Sequence, residues 1–339
     1  MDNRADQWDR RTFLHGLTLA GTAGLVGLRP GLALAEPPPE TTRVRFGTSG
    51  AICVAPELVA KELLRGEGFT DVQYVQAETG VPVIRTLVDG KADLNISTAG
   101  QLVFRIDAGD PIVILAGVHV GCYELFGTDR IRSVSDLKGR TVGVVSLESG
   151  HYFILATMLV HVGLDPRKDV HVVAQSTVES SERLAAGRID ALVAFPPEPQ
   201  ELRAKKIGHA VVSTILDRPW SQYFCCLLNA NREFVRKYPA ATKRATRAIL
   251  KSVNMCAIEP ERVARRLVDK GYTPRYDYAL QTLKEIPYNR WREYDAEDTV
   301  RFYALRLHEA GMIKSSPQKI IAQGTDWRFL NELKKELKG

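Results

Sequence analysis

The chain has 339 residues, 45% of them hydrophobic and 25% charged, with a formal net charge of +6. This is globular composition, enough for one large domain or two modest lobes, and it excludes collagen-like, low-complexity and disordered chains. The positive excess is spread thinly and forms no basic block of the kind that marks a nucleic-acid-binding tail.

Residues 1–35 read as an export signal. A polar stretch, DRRTFLHG (9–16), precedes a moderately apolar, Gly- and Thr-rich run, LTLAGTAGLVGL (17–28), and ALA (33–35) supplies a small-residue cleavage site. The paired Arg10 and Arg11 before Thr12, Phe13 and Leu14 match a twin-arginine signal. The apolar run is too short and too glycine-rich to anchor the chain in a bilayer, and no cysteine is available there for lipidation. EPPPE (36–40) opens a short, stiff, solvated leader, residues 36–42. No later segment reaches the ~18 apolar residues of a membrane span. A soluble periplasmic protein is therefore expected after signal cleavage.

From residue 43 short strand-like runs alternate with helical ones. VRFGT (44–48), VQYVQ (72–76) and LNIS (94–97) read as strands, separated by the helices PELVAKELLR (56–65) and PVIRTLVDG (82–90) and followed by the helix GQLVFRIDAG (100–109). IVILAGV (112–118) is the continuous apolar run of a parallel strand covered on both faces. A second series follows, with strands TVGVV (141–145), VHVVA (170–174), ALVAF (191–195) and AVVSTIL (210–216). Its helices are HYFILATMLVHVG (151–163), SSERLAAG (180–187) and PEPQELRAKKIG (197–208). Strands spaced by helices in this way imply right-handed βαβ units and parallel sheets.

One phrase occurs in both series: GKAD (90–93) and GRID (187–190). In each, a glycine in the left-handed conformation stops a helix and an aspartate opens the next strand. Equivalent junctions in two successive units predict two similar α/β lobes, not one long sheet. DRPWSQYFCCLLN (217–229) reads as a return crossing. Beyond it the pattern is mostly helical: PAATKRATRAILKSVNMCAI (239–258), DAEDTVRFYALRLHEAG (295–311) and TDWRFLNELKKELK (325–338). Pro239 suits a first turn, Asp295 an N-cap and Gly311 a helix end. Arg236, Lys243, Arg247 and Lys251 recur at seven- and four-residue steps and are expected on a solvated outer helical face, with phosphate binding by the basic stripe as the alternative. The expected division is residues 43–120 plus 220–339 in lobe 1 and 121–219 in lobe 2.

Enzyme signatures are missing. The nearest approach to a GxSxG elbow is GTSGA (47–51), and HExxH, GxxxxGK[ST] and a post-strand GxGxxG do not occur. The seven histidines show no metal-ligand spacing, and five cysteines without a CxxC read as buried small hydrophobes. A bond between the neighbours Cys225 and Cys226 is the less favoured alternative. No metal, cofactor or catalytic residue is expected. The chemistry lies in the loops after strands, TSGAIC (48–53), STAGQ (97–101), LESGHYF (147–153) and FPPEP (195–199). In open α/β sheets ligands bind at that end, where small residues and hydroxyls allow close approach.

Taken together, VRFGTSGAICVAPELVAKE, LVDGKADLNIS, DLKGRTVGVV with its downstream SGHYFILATMLVHVGLDP, and LAAGRIDALVAFPPEP resemble the periplasmic substrate-binding proteins of ABC importers. The similar branch handles nitrate, sulfonates, taurine, bicarbonate and thiamine-precursor pyrimidines, and the resemblance spans residues 43–339. It implies a type II-like fold: two α/β lobes with parallel-rich sheets, closing over one small organic or anionic ligand held in the cleft. By position, the ligand loops would be Ser49, Gly50 and Ala51; Ser97, Thr98 and Ala99; Ser149, Gly150 and His151; and the segment holding Phe195 and Glu198. Tyr123 and Tyr223, near the two crossings, are candidates for aromatic walls. These loops contain no arginine, so an anion would rely on helix N-termini and His151. A partly aromatic or amide-bearing ligand is equally admissible. The resemblance implies a monomer that delivers ligand to an inner-membrane permease and has no nucleic-acid partner. Two alternatives stand beside it. One is an enzyme on the same scaffold resembling thiamine-pyrimidine synthase, to whose cysteine-rich motif FCC (224–226) is faintly similar. The other is a sensor subunit presenting ligand to a receptor.

Overall fold

The computed structural model describes residues 36–78 and 81–337, so the expected signal at 1–35 lies outside the described residues. Ten strands form two five-stranded sheets. The first contains β1 (Arg43–Thr48), β2 (Asp71–Gln76), β3 (Leu94–Thr98), β4 (Ile112–Val120) and β10 (Phe224–Asn231), in the order β2-β1-β3-β10-β4. The second contains β5 (Glu124–Gly127), β6 (Thr141–Val144), β7 (His171–Ala174), β8 (Ala191–Ala194) and β9 (His209–Ser213), in the order β7-β6-β8-β5-β9. Helices flank both.

The sheets are mixed, not all-parallel. In the first, β1 runs parallel to β2 and β3, whereas β10 runs antiparallel to β3 and β4. The second repeats the pattern, with β6 parallel to β7 and β8, and β5 antiparallel to β8 and β9. The chain leaves the first sheet after β4, runs straight into β5 as the antiparallel strand of the second, and returns from β9 into β10. FCCLLN, read as a crossing, is therefore a buried strand. IVILAGV is buried throughout, as its composition predicts, but it is an edge strand paired antiparallel to β10. Its free edge is covered near Ile114, whose carbonyl accepts the N–H of Asp326 at 3.0 Å.

The repeated Gly-x-x-Asp junctions do the same work in both sheets. Gly90 and Gly187 sit at φ +68° and +65°, a conformation favouring glycine. The Asp93 carboxylate accepts the Arg45 N–H at 2.8 Å, and that of Asp190 accepts the Thr141 N–H at 3.0 Å. Each aspartate thereby ties the start of the third strand of its sheet to the neighbouring parallel strand. Arg45 adds an ion pair to Asp93 at 2.6 Å.

The helix Pro239–Ile258 has the predicted bounds. Its N-terminus is capped from the leader: Glu40 accepts N–H bonds from Ala240 and Ala241 at 2.9 and 2.8 Å. Arg236 is exposed on the preceding helix Arg232–Lys237, as expected, but the basic residues of Pro239–Ile258 are drawn into ion pairs. Arg247 is 9% exposed and lies between Glu67 at 2.7 Å and Glu336 at 2.9 Å, while Lys251 joins Glu67 at 2.9 Å. Sequence periodicity could not anticipate acidic partners arriving from the cap that follows the helix Lys61–Gly66 and from the C-terminal helix Arg328–Glu336. Removing Arg247 leaves Glu67 buried with only a half-exposed lysine. Arg247→Ala should lower unfolding stability by about 3 kcal/mol in urea titrations, with an unchanged m-value.

Candidate functional site

The carboxyl ends of β1 and β3 face those of β6 and β8, and between them lies a cavity of about 420 Å³. Because β5 and β10 run antiparallel to their neighbours, they bring their first residues to the same end. The first half contributes Ser49, Ala51 and Cys53 after β1, and Ser97, Thr98 and Gln101 around the end of β3. The second contributes Ser146, Ser149, Gly150 and His151 after β6, and Phe195 after β8. Tyr123 and Cys122 come from the crossing between β4 and β5, and Val81–Val83 close one side.

Three rings form one wall. His151 meets Tyr123 edge-on at 5.1 Å and Phe195 edge-on at 4.9 Å, and the Tyr123 and Phe195 rings are 5.9 Å apart. His151 is 5% exposed, and neither ring nitrogen has a hydrogen-bond partner. Burial pushes its imidazole down to about 3, so at neutral pH the ring is uncharged. The Thr98 hydroxyl, also buried, is likewise unpartnered. Buried polar atoms are rarely left so, and here three of them sit in the wall of one cavity. Among the described residues, no lysine, arginine, aspartate or glutamate lines it.

Glycine makes the approach of the two halves possible. A Cβ on Gly150 would lie 2.4 Å from the Tyr123 hydroxyl and 2.7 Å from the Thr98 hydroxyl; one on Gly100 would lie 2.9 Å from the Phe153 Cβ. Direct bonds also span the halves. Gln101 donates to the Glu148 carbonyl at 2.7 Å, Arg167 donates to the Ala310 carbonyl at 3.1 Å, and Arg203, held within its own half by Glu124 at 2.6 Å, reaches across to Glu285 at 2.9 Å.

Of the residues singled out from sequence, Ser49, Ala51, Ser97, Thr98, Tyr123, Ser149, Gly150, His151 and Phe195 line the cavity. Four do not. Gly50 shapes the loop behind it at φ +71°, and Ala99 is buried at the head of its helix. Glu198 is buried on the helix after Phe195 and accepts the Ser181 hydroxyl at 3.0 Å. Tyr223 stacks on Phe302 at 4.0 Å, drawn onto the helix Ala296–Glu309 instead of the cavity wall. His151 was expected to help hold an anion, yet its burial keeps it neutral. Gln101 lay within a quoted loop and could have been chosen from it. Cys53, in the quoted loop TSGAIC, could have been chosen in the same way and Cys226 lay in the FCC run, whereas Cys122, Val81 and Val83 gave no signal, because nothing local marks which apolar side chains turn inward.

A family model described as NMT1/THI5 like matches residues 55–263, more than half of the chain. The chain belongs to that family. A curated relative, the nitrate import ATP-binding protein NrtC of Synechocystis sp., is 23% identical over 211 residues, covering 59% of this chain but only 29% of that protein. This chain therefore spans less than a third of the length of the relative it matches. Among solved structures, the periplasmic nitrate-binding protein NrtA from Synechocystis PCC 6803 superposes with a TM-score of 0.71 at 14% identity, over 89% of this chain and 90% of that one. The alkanesulfonate-binding protein SsuA from Xanthomonas axonopodis pv. citri, bound to MOPS, gives 0.69 at 16% identity, over 85% and 99%. These likenesses establish the two-lobed periplasmic binding protein fold. Among the described residues, no helix is long and apolar enough to cross a membrane.

Two measurements test this geometry. Gly150→Ala should lower the melting temperature, and adding Tyr123→Phe should recover part of the loss; equal losses in both backgrounds would show that the Tyr123 hydroxyl is not the obstruction. Native His151 stays neutral to about pH 3, whereas the unfolded chain takes up a proton below about 6.5. Stability contributed by this site therefore falls as pH falls. Relative to His151→Phe, the wild type should lose about 1.4 kcal/mol per pH unit between those limits.

Proposed function

We propose that this chain is the solute-binding component of an ABC-type import system, working in the periplasm and delivering one small ligand to an inner-membrane permease. The observation behind the choice of ligand is the cavity wall: uncharged, ringed by Tyr123, His151 and Phe195, with unpartnered buried polar atoms on His151 and Thr98. Such a wall suits a neutral, partly aromatic or amide-bearing molecule whose polar atoms complete those hydrogen bonds. A nitrate or sulfonate would enter without a fixed cation to meet it. The volume of about 420 Å³ fits a single small molecule and leaves no room for a polymer.

Binding works by hinge closure. The two strands of chain joining the halves, at 121–123 and 214–223, act as the hinge. Ligand contacts made from both sides at once favour the closed form, and the bonds of Gln101, Arg167 and Arg203 across the gap add to it. The permease reads the closed form.

A thermal-shift screen with calorimetric follow-up tests the reading, using ligand-stripped protein and a panel of nitrate, alkanesulfonates, pyrimidines and neutral aromatic amides. Neutral ring compounds should raise the melting temperature. Tyr123→Ala and Phe195→Ala should abolish the shift, whereas Tyr223→Ala should leave it intact. A shift produced by the anions alone would overturn the ligand class, and turnover of any panel member would overturn the binding role.

A further inference from the structure

At the floor of the cavity, whose lining includes three of them, the fold gathers four side chains that the sequence keeps apart. Cys53 sits in the turn after β1, His119 near the end of β4, Cys122 in the crossing to β5, and Cys226 near the start of β10. Their three sulfurs and a ring nitrogen of His119 all lie within 4.8 Å of one another, and all four residues are buried, none more than 4% exposed. We propose that these residues form a tetrahedral Cys3His site for a thiophilic divalent cation, zinc above all.

The polar environment of His119 points the same way. Its Nδ1 lies 2.9 Å from the Gly121 carbonyl, which can only accept, so Nδ1 carries a proton and Nε2 is the nitrogen left to meet a metal. Nε2 has no hydrogen-bond partner although it is fully buried. A ligating histidine has this arrangement: one nitrogen donates to a backbone carbonyl, fixing tautomer and ring orientation, and the other is left for the metal. Gly121 is held at φ +54° with a would-be Cβ 2.6 Å from the Ile215 Cα, so the carbonyl that orients His119 is fixed by packing. Cys122 is held similarly. Its N–H and that of Tyr123 both donate to the Thr214 hydroxyl, at 3.1 and 2.9 Å.

The donor set selects the ion. Three thiolates and an imidazole suit zinc and disfavour the hard cations that prefer carboxylates and water. In a tetrahedral zinc–thiolate site the sulfurs stand about 3.8 Å apart, so the cluster would contract by about 1 Å at most. Four protein ligands close the coordination sphere, which is the form of a structural site and leaves no position for substrate. Occupied, it would join the loop after β1, the end of β4 and the start of β10 to one of the two hinge strands. Cys225 stands outside the set. It lies at the irregularity in β10 pairing, with its sulfur 3.2 Å from that of Cys122, and a Cys122–Cys225 disulfide is the competing use of Cys122.

The site does not depend on the transport reading and is tested without any solute. Full-length protein, reduced and stripped with a chelator, is titrated with zinc against a chromophoric competitor and, separately, with cobalt(II). One equivalent of zinc per chain is expected. Cobalt should give the intense visible bands of a tetrahedral ion with thiolate charge-transfer absorption. His119→Ala and Cys226→Ser should each weaken zinc binding more than about 100-fold, beyond what loss of a supporting contact costs. Cys225→Ser should bind as the wild type does. Should the cysteine variant not fold, His119→Gln and the cobalt spectrum of the wild type decide. Substoichiometric zinc binding by the reduced wild type, a weak octahedral-type cobalt spectrum, or equal loss in Cys225→Ser would each overturn the site. So would purified protein that carries a Cys122–Cys225 disulfide and, once reduced, still takes up no zinc.

Discussion

Everything in this fold depends on one exchange of strands. Each sheet builds three parallel strands from local βαβ units, then takes an antiparallel strand that arrives directly from the other half. β10 bonds to β3 on one side and β4 on the other, and β5 does the same between β8 and β9. Without β10, β4 has no neighbour in its sheet, and without β5 neither does β9. Neither sheet is complete until the chain has crossed, so each half depends on the two short connections that carry the chain between them.

The same exchange fixes the position of the site. Parallel strands present their carboxyl ends, with their loops, at one edge, and the inserted antiparallel strand presents its beginning there. Tyr123, just before β5, and Cys226, just inside β10, consequently reach the cavity together with the loops after β1, β3, β6 and β8. Burial then sets the chemistry. His151, enclosed by two rings, is held neutral, and among the described residues no charged side chain lines the cavity, so its wall offers hydrogen-bonding atoms and ring faces. Small residues at 100 and 150 allow the helices Ala99–Asp107 and Gly150–His161 to approach closely beside the cavity.

How much of this was legible varied with the range of the interaction. Helix ends and strand starts were: Gly90 and Gly187 stop helices, Asp93 and Asp190 open strands, Asp295 caps its helix and Pro239 begins one. Each is a signal within a few residues. The loops after strands were legible as one edge of small and hydroxyl-bearing residues for the same reason, and they line the cavity. Tyr123 and Tyr223 looked alike in sequence, one near each crossing, yet one lines the cavity and the other stacks on Phe302. Arg247 looked like a surface residue and is clamped between two glutamates far away in the chain. The cysteines showed no spacing because their proximity comes from strand order.

By itself the sequence determined two α/β units of the same design, an edge at which small and hydroxyl-bearing loops collect, and the helical C-terminal third. Periodicity, caps and turn residues encode these, and all three act locally. Only the tertiary structure decided that the sheets are mixed, that His151 is neutral, that the basic helix is an internal ion-pair network, and that Cys53, His119, Cys122 and Cys226 meet. Those outcomes depend on which segments become neighbours after the chain has crossed twice. Charge state and ligand sets follow from burial and proximity, which linear spacing does not record.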